Sequence, residues 1–537
     1  MTDEPTFFDE IEAYCGRLSY APGATATLHA SCRSGDRFDV TVERWGARRE
    51  AVWRADGVPG SYLAPPADAD AAGCRWPVSL EIPVGAAWAS GFYLVTCRLV
   101  GGPAGRSEAH AGFVVRGRPG HPAGAALVLA TNTWNAYNTW GGASLYTGGK
   151  EVSFRRPFAR GMLCRPAEER DDRKARPVRW GEEADPQGEI FQAWRFAHGY
   201  PAAVGSAGWY THERRFVEWA EAAGHRFDYL VSSDLEDPEA LAGQRLLVDV
   251  GHDEYWSALQ RDAVEAHVAG GGNLVSLSGN TCFWQVRLTG GEPDPEGVPD
   301  PQGVPDPQGV MVCHKYSAPE TDPEVAAGRP WNMTGLWCDP LVGRPEWSLL
   351  GAGSAWGLYH RFGQAVARGS GAFTVHRPRH WLLEGTGLGY GDLLGARHGV
   401  VGYETVGCRL ALDEYQLPMA RPEPGMPTEV EVVAYTQSSN LAVGEYPASI
   451  SALSDQGDLE YIAGRLFGRV DADSLARIRH GNAVLLTCRP FGPTAGGVVT
   501  VGSTDWVFGL TDVSGGDPAV ARVTANALNW GMTGQPA

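Results

Sequence analysis

The sequence predicts a two-part α/β protein, an all-β sandwich followed by a doubly wound, mostly parallel sheet. Two observations support this prediction. Residues 1–117 contain short apolar runs that alternate with period two, whereas from Ala125 onward continuous apolar runs alternate with helical patterns. The chain has 537 residues, including 70 glycines and 37 prolines. This length exceeds what one core normally supports, and the composition favours a loop-rich protein.

The first region, residues 1–117, is predicted to be an immunoglobulin-like sandwich. A turn at 20–24 precedes its first apolar run, and the run at 37–43 alternates apolar and polar residues. Several short strands separated by turns are typical of antiparallel sandwiches. Residues 116–124 are dense in glycine and proline and form the predicted linker to a second region, which spans 118–537.

The second region has the pattern of an α/β sheet. Strands are predicted at 125–130, 227–231, 245–250, 273–278 and 496–502, and helices at about 211–224, 258–269 and 519–530. Strands that are apolar throughout are typical of a parallel sheet with both faces covered. The predicted sheet is therefore doubly wound, of the flavodoxin-like or class I glutamine amidotransferase-like type.

Three near-identical hexapeptides interrupt this pattern between 293 and 310, each beginning with Pro-Asp-Pro. Proline lacks the backbone N–H that a central strand needs, and it also ends helices. The segment from about 291 to 310 is therefore predicted to be an extended surface insertion without a catalytic role.

Charge and composition restrict the partners. The formal charge of −18 opposes binding to nucleic acid or to an anionic membrane surface. The N-terminus lacks the features of a signal peptide, and no stretch approaches the roughly 20 apolar residues that span a bilayer, so a cytoplasmic location is expected. The ten cysteines include no CxxC pair and are expected to be buried thiols, although Cys32, Cys74 and Cys97 could pair in an exported protein.

Chemistry is expected at the ends of three predicted strands. Runs rich in Trp, Tyr and Asn follow them at 131–146, at 251–257 (GHDEYWS) and at 278–284. Ligands of parallel sheets bind beyond the carboxyl ends of the strands, and such side chains need buried contacts, so an aromatic-walled pocket is predicted. Its inward-pointing side chains are Tyr137, Tyr146, His252, Glu254 and Asn280. Packing at a domain interface is the alternative.

Taken alone, these residue types allow several kinds of site. His252 could be an ordinary core histidine, and Glu254 could cap the following helix. Histidine and carboxylate ligands would favour zinc, whereas phenolate and carboxylate oxygens would favour a hard cation such as Fe(III). Cys282 is disfavoured as a nucleophile, because the chain has no GxSxG elbow and buried cysteines are usually inert.

The motifs TWNAYN, SLY, GHDEYW, SGN and VGYET, located between 133 and 405, resemble those of the large (beta) subunit family of N,N-dimethylformamidase. The resemblance runs from about Ala125 to the C-terminus. It implies a mononuclear iron, as Fe(III), held by two tyrosines and one glutamate. By resemblance, the metal ligands are Tyr137, Tyr146 and Glu254. The resemblance also implies that the catalytic residues are Glu404, as general base, and His252 and Asn280 beside it.

The resemblance implies that residues 118–537 hydrolyse the C–N bond of a small-molecule amide with metal-activated water. Glu404 would take the proton of the water, Asn280 would donate to the oxyanion, and His252 would protonate the departing amine. The chain is shorter than the formamidase subunit and implies no small partner subunit, and a homo-oligomer is compatible with it. A non-catalytic binding or assembly protein and an iron-dependent oxygenase are the alternative functions.

Overall fold

The computed structural model describes residues 10–102, 107–118, 120–165, 172–174, 188–290, 309–447, 457–511 and 515–535. The predicted surface insertion at 291–310 lies outside these residues, apart from its last two positions. Within the described ranges, no helix combines the length and the apolar character needed to cross a lipid bilayer.

The strands between Ile11 and Val115 form two β-sheets around a shared apolar core. The elements are β1 (Ile11–Cys15), β2 (Ser19–Tyr20), β3 (Thr25–Cys32), β4 (Arg37–Trp45), β5 (Arg49–Pro59), α1 (Ala69–Ala72), β6 (Leu80–Pro83), β7 (Gly91–Leu99) and β8 (Glu108–Val115). One sheet has the strand order β1-β3-β6 and the other β2-β8-β7-β4-β5. In β4, Phe38, Val40 and Val42 face the core because side chains alternate along a strand. The immunoglobulin-like class and the boundary at 117 remain predictions.

The rest of the chain contains the remaining strands and helices. The strands are β9 (Ala125–Leu129), β10 (Glu151–Ser153), β11 (Asp228–Val231), β12 (Leu246–His252), β13 (Tyr255–Ser257), β14 (Asn273–Gly279), β15 (Trp284–Thr289), β16 (Val310–Val312), β17 (Phe373–Val375), β18 (Leu393–Leu394), β19 (Leu410–Leu412), β20 (Pro418–Ala420), β21 (Val430–Ser439), β22 (His480–Cys488) and β23 (Val498–Val501). The helices are α2 (Thr131–Tyr137), α3 (Glu189–His198), α4 (Glu213–Ala222), α5 (Ala258–Ala269), α6 (Ala318–Thr321), α7 (Pro323–Ala326), α8 (Trp347–Leu350), α9 (Asp458–Phe467), α10 (Ala472–Arg479) and α11 (Pro518–Thr533).

The largest sheet has nine strands in the order β11-β9-β12-β14-β23-β22-β21-β17-β18. The first five run parallel to one another, and each of the remaining pairs is antiparallel. Alternate residues of β9 face different cores, with Leu127 and Leu129 in one and Ala126 and Val128 in the other. Apolar cores therefore cover both faces of this strand.

The prediction of a doubly wound, mostly parallel, flavodoxin-like sheet is wrong. The fold is a β-rich mixed α/β arrangement in which antiparallel and mixed sheets predominate. The reason is visible between β22 and β23, where only residues 489–497 connect the two strands. A parallel crossover needs a dozen or more residues, so these neighbours pair antiparallel.

Candidate active site

Three neighbouring parallel strands bring the candidate site together at their carboxyl ends. Strand β9 leads directly into α2, β12 ends at His252, and β14 ends at Gly279, which pairs with His252 in register. The polar and aromatic runs after these strands therefore meet at one edge of the sheet, as the parallel part of the prediction required.

The TWNAYN run begins as helix α2 rather than as the predicted loop. Threonine and asparagine are weak helix formers, but every residue of α2 is buried, so packing imposes the helix. The Glu254 N–H donates to Thr133 Oγ1 (3.0 Å), and Asn132 Nδ2 donates to the Tyr255 carbonyl (3.2 Å). Helix α2 thus holds the GHDEYW segment and directs Tyr137 toward it.

The Glu254 carboxylate is the acceptor for both predicted tyrosine ligands. Tyr137 Oη donates to Glu254 Oε2 at 3.0 Å, and Tyr146 Oη lies 2.8 Å from each of the two carboxylate oxygens. The two phenol rings stack with centroids 4.2 Å apart. Tyr255 Oη donates in turn to Tyr146 Oη (2.9 Å). Tyr137, Tyr146 and Glu254, from separate segments, thus place their side-chain oxygen atoms close together.

His252 lies between two carboxylates. Its Nε2 is 2.8 Å from Glu404 Oε2 and 3.2 Å from Glu254 Oε2, and its Nδ1 is 2.8 Å from the Ser206 carbonyl. Burial alone would lower the pKa of this imidazole, but Glu404 and Glu254 outweigh it and raise the pKa to about 10. The Ser206 carbonyl can accept only from a protonated Nδ1, so the ring orientation is defined.

Asn280 and Glu404 complete the group of predicted residues. Asn280 Nδ2 lies 3.5 Å from His252 Nε2, and Ser354 Oγ donates to Asn280 Oδ1 (2.8 Å), which orients the amide. Asn280 has a φ of 49°, a left-handed conformation that asparagine tolerates better than most residues. A side chain at the preceding Gly279 would collide with the backbones of Glu404 and Thr504. Glycine is therefore required where these segments meet.

The electrostatics of the two tyrosines bear on metal binding. Burial, followed by the charge of Glu254, raises the pKa of Tyr137 and of Tyr146 well above the usual phenol value. Both groups are therefore hydrogen-bond donors to Glu254 in the metal-free protein. Their oxygens and the carboxylate are the ligand types that a hard cation prefers, so this set fits Fe(III) better than zinc. Among the described residues, no cluster of three or more His, Cys, Asp or Glu side chains could hold a metal.

A family model described as N,N-dimethylformamidase beta subunit-like, C-terminal, matches residues 39–519. The chain belongs to this family. The match begins within β4, well before Ala125, so it includes most of the N-terminal sandwich as well as the candidate site. No curated protein matches the chain.

Two lysines beside the site of this N,N-dimethylformamidase-like chain were missed by the sequence analysis. Lys315 Nζ lies 3.5 Å from the centroid of the Tyr146 ring, and Lys174 Nζ lies 4.8 Å from that of Tyr403. Burial lowers the pKa of Lys174 to about 8, against an opposing effect of Glu404. The rarity of lysine could have drawn attention to both residues, because only three of the 45 basic residues in the sequence are lysines.

Cys282, the weakest of the predicted candidates, has the surroundings of an inert thiol. It is buried and free, and burial raises the pKa of its thiol. Arg261 Nη1 lies 4.0 Å from its sulfur, too far for a strong contact. Since the thiolate is the reactive form, a raised pKa opposes nucleophilic catalysis by Cys282 in this family member.

Proposed function

We propose that the protein is an iron-dependent amidohydrolase that cleaves the C–N bond of a small amide. Membership of the N,N-dimethylformamidase beta subunit-like family supports an amide hydrolase. The observation that carries the proposal is the convergence of Tyr137, Tyr146 and Glu254 oxygens within 3.0 Å, next to the pair of His252 and Glu404. An oxygen cluster and a proton-transfer pair are the two parts that metal-assisted hydrolysis needs.

Tyr137, Tyr146 and Glu254 would hold the iron. When bound, the iron supplies Lewis acidity, which polarises an amide carbonyl and acidifies water. The two phenols would give up their protons on binding, because a trivalent cation reverses the effect of burial on their pKa. The structure supports this ligand set through chemistry, since the three side chains offer only oxygen donors.

The other residues would move protons and stabilise charge. Glu404 is a buried carboxylate that contacts no protein cation other than His252 at ion-pair distance among the described residues, so it can accept a proton from the attacking water. His252, held at Nδ1 by the Ser206 carbonyl, presents Nε2 to the site and can protonate the departing amine. The Asn280 amide can donate to the developing oxyanion, a contribution of about 3 kcal/mol when the donor is preorganised.

Metal analysis of the purified protein, combined with amide turnover under anaerobic conditions, tests this proposal. We expect about one iron per chain, a visible phenolate-to-iron absorption band, and turnover that does not require oxygen. Protein without metal would refute the ligand set, one zinc per chain without the band would reassign the metal, and a strict requirement for oxygen would favour an oxygenase.

A pair of tyrosine variants makes the metal test specific. Tyr137→Phe removes one of the two proposed phenolate ligands and should weaken and shift the absorption band, to which Tyr146 would still contribute. Tyr255→Phe removes a neighbouring hydroxyl whose hydrogen bond, among the described residues, goes to Tyr146 Oη, so it should keep both the band and the iron. Equal loss in both variants would show that the band does not report on Tyr137.

A further inference from the structure

The use of lysine in this chain is selective. The sequence contains three lysines, Lys150, Lys174 and Lys315, and arginine provides all the other basic residues. Two of the three lie against the candidate site, whereas Lys150 is exposed. Lysine offers a compact ammonium that can turn its three donors toward different acceptors, which the planar guanidinium of arginine cannot do. The ammonium of Lys174 or Lys315 could therefore donate to several acceptors of a ligand at once.

Buried ion pairs hold Lys174 in place. Asp172 Oδ2 lies 3.4 Å from Arg165 Nη1 and 3.6 Å from Arg215 Nη2, and Arg173 Nη2 lies 2.9 Å from Asp505 Oδ2. Three consecutive charged residues are thus directed inward. These three ion pairs anchor the two residues that directly precede Lys174, so its backbone position is fixed.

The ammonium of Lys174 has donors to spare. It donates to Ser206 Oγ and lies over the Tyr403 ring, and among the described residues no carboxylate comes within ion-pair distance of it. As a whole residue, Lys174 is half-buried, so part of it faces solvent. An ammonium has three N–H donors, and only one of them is satisfied by the serine hydroxyl.

Lys174 also lies beside the reacting groups. Tyr403, which it covers, directly precedes Glu404, and the carbonyl of Ser206 accepts from His252 Nδ1.

The net charge of the site also favours an anionic ligand. Lys174 and Lys315 already balance the two carboxylates, Glu254 and Glu404, even if His252 is counted as neutral. Fe(III) would bring three positive charges and the two phenolates two negative charges, so the site would gain one net positive charge. An uncompensated charge in a buried site is costly. An anionic ligand would remove that cost.

We propose that Lys174 binds the carboxylate of the substrate, so that the substrate class is small amides with a carboxylate near the scissile bond. The amide part of this statement and the charge of the iron rest on the proposed function, whereas the place of the carboxylate rests on the contacts of Lys174. A pKa of about 8 keeps the ammonium mostly protonated at neutral pH, as this role requires.

Binding of two ketones that cannot be hydrolysed tests the carboxylate site without turnover. 4-Oxopentanoate and pentan-2-one share one carbon skeleton and differ in the carboxylate. By calorimetry, the wild-type protein should bind 4-oxopentanoate at least tenfold more tightly than pentan-2-one. Lys174→Gln should abolish that preference, and Lys150→Gln, with the same change on the surface, should keep it. A preference that persists in Lys174→Gln, or none in the wild type, would overturn the proposal.

Turnover of succinamate and of butanamide separates this proposal from the hydrolase itself. We expect kcat/KM for succinamate to fall at least tenfold more than that for butanamide in Lys174→Gln, and the ratio of the two to stay unchanged in Lys150→Gln. If kcat/KM for each amide is the same in wild type and in Lys174→Gln, the role of Lys174 is refuted, but the proposed hydrolase activity is not. Carboxylate binding that depends on Lys174, without any amide turnover, would refute the hydrolase and leave the carboxylate site. Thermal unfolding of Lys174→Gln checks that the variant is folded, and Lys174→Arg should restore part of the preference because it keeps the charge.

Discussion

Substitution of Glu254 by alanine tests the centre of the candidate site. The Glu254 carboxylate is 2% exposed and accepts hydrogen bonds from Tyr137 and Tyr146. Its removal leaves two phenol donors, the buried Tyr137 and the half-buried Tyr146, without their acceptor. A buried donor left unsatisfied costs about 1–3 kcal/mol, so the free energy of unfolding of the metal-free protein should fall by about 2–6 kcal/mol. Denaturant unfolding of metal-free wild type and variant measures this difference.

The same substitution should remove the metal. Groups that merely support metal ligands contribute about 10- to 100-fold to affinity, so loss of a direct ligand should cost at least about 100-fold. Iron per chain, measured after equal loading, should therefore fall to a small fraction of the wild-type value. Glu239→Ala is the matched control, because Glu239 is exposed and should affect neither iron content nor stability.

Glu254→Gln separates the two effects. The glutamine oxygen can still accept from the phenols, so most of the stability should return, but a neutral amide is a poor ligand for Fe(III) and the iron should stay lost. Full iron content in Glu254→Ala would show that the ligand set is wrong. A loss of stability below about 1 kcal/mol would show that the phenols do not depend on this carboxylate.

Three further variants test the remaining groups. Glu404→Gln should keep its iron and lose about 100- to 10,000-fold in kcat, and a fully active variant would place the base elsewhere. Asn280→Ala and Asn280→Gly should both lose about 100- to 1,000-fold in kcat. The glycine variant should be the more stable of the two by about 1 kcal/mol, because residue 280 has a positive φ. Equal stability of the two variants would argue against backbone strain at this residue. In metal-free protein, His252 should stabilise the fold fully below pH 6.5 and lose this effect as the pH rises through about 10, because its pKa is raised. Comparison of unfolding free energies of wild type and His252→Asn from pH 6 to 10 measures this effect, and a constant difference would contradict the raised pKa.

Local elements could be predicted from the sequence because their signals are local. Helix α5 has the predicted bounds, and strand β14 differs from its prediction by one residue. The apolar spacing, the Gly-Gly-Gly at its end and the Ser257 cap, whose Oγ accepts from the Gln260 N–H at 3.1 Å, all lie within a few residues of the helix. Such signals need no information about the partner of an element.

Strand direction could not be predicted in the same way. Strands β21 and β22 pair antiparallel over nine residues, although more than 40 residues separate the start of one from the start of the other. The run Val430–Ser439 mixes buried and exposed residues and contains threonine, glutamine and serine, so it lacks the continuous apolar character of a central strand. Its place in the sheet depends on long-range pairing, which the sequence pattern does not encode.

Both local elements and long-range strand pairing position the residues of the candidate site. The proposed ligands and His252 follow β9 and β12 of the parallel part, so their motifs could be linked through strand ends. Glu404 is different, because it follows no predicted strand. Its backbone is held by the Thr504 N–H (3.1 Å), which follows β23, and by a bridge to Tyr359, which itself pairs with Ser439 at the end of β21. The antiparallel part of the sheet therefore positions the proposed base, so a wrong prediction of that part leaves the base connected to the site only through resemblance.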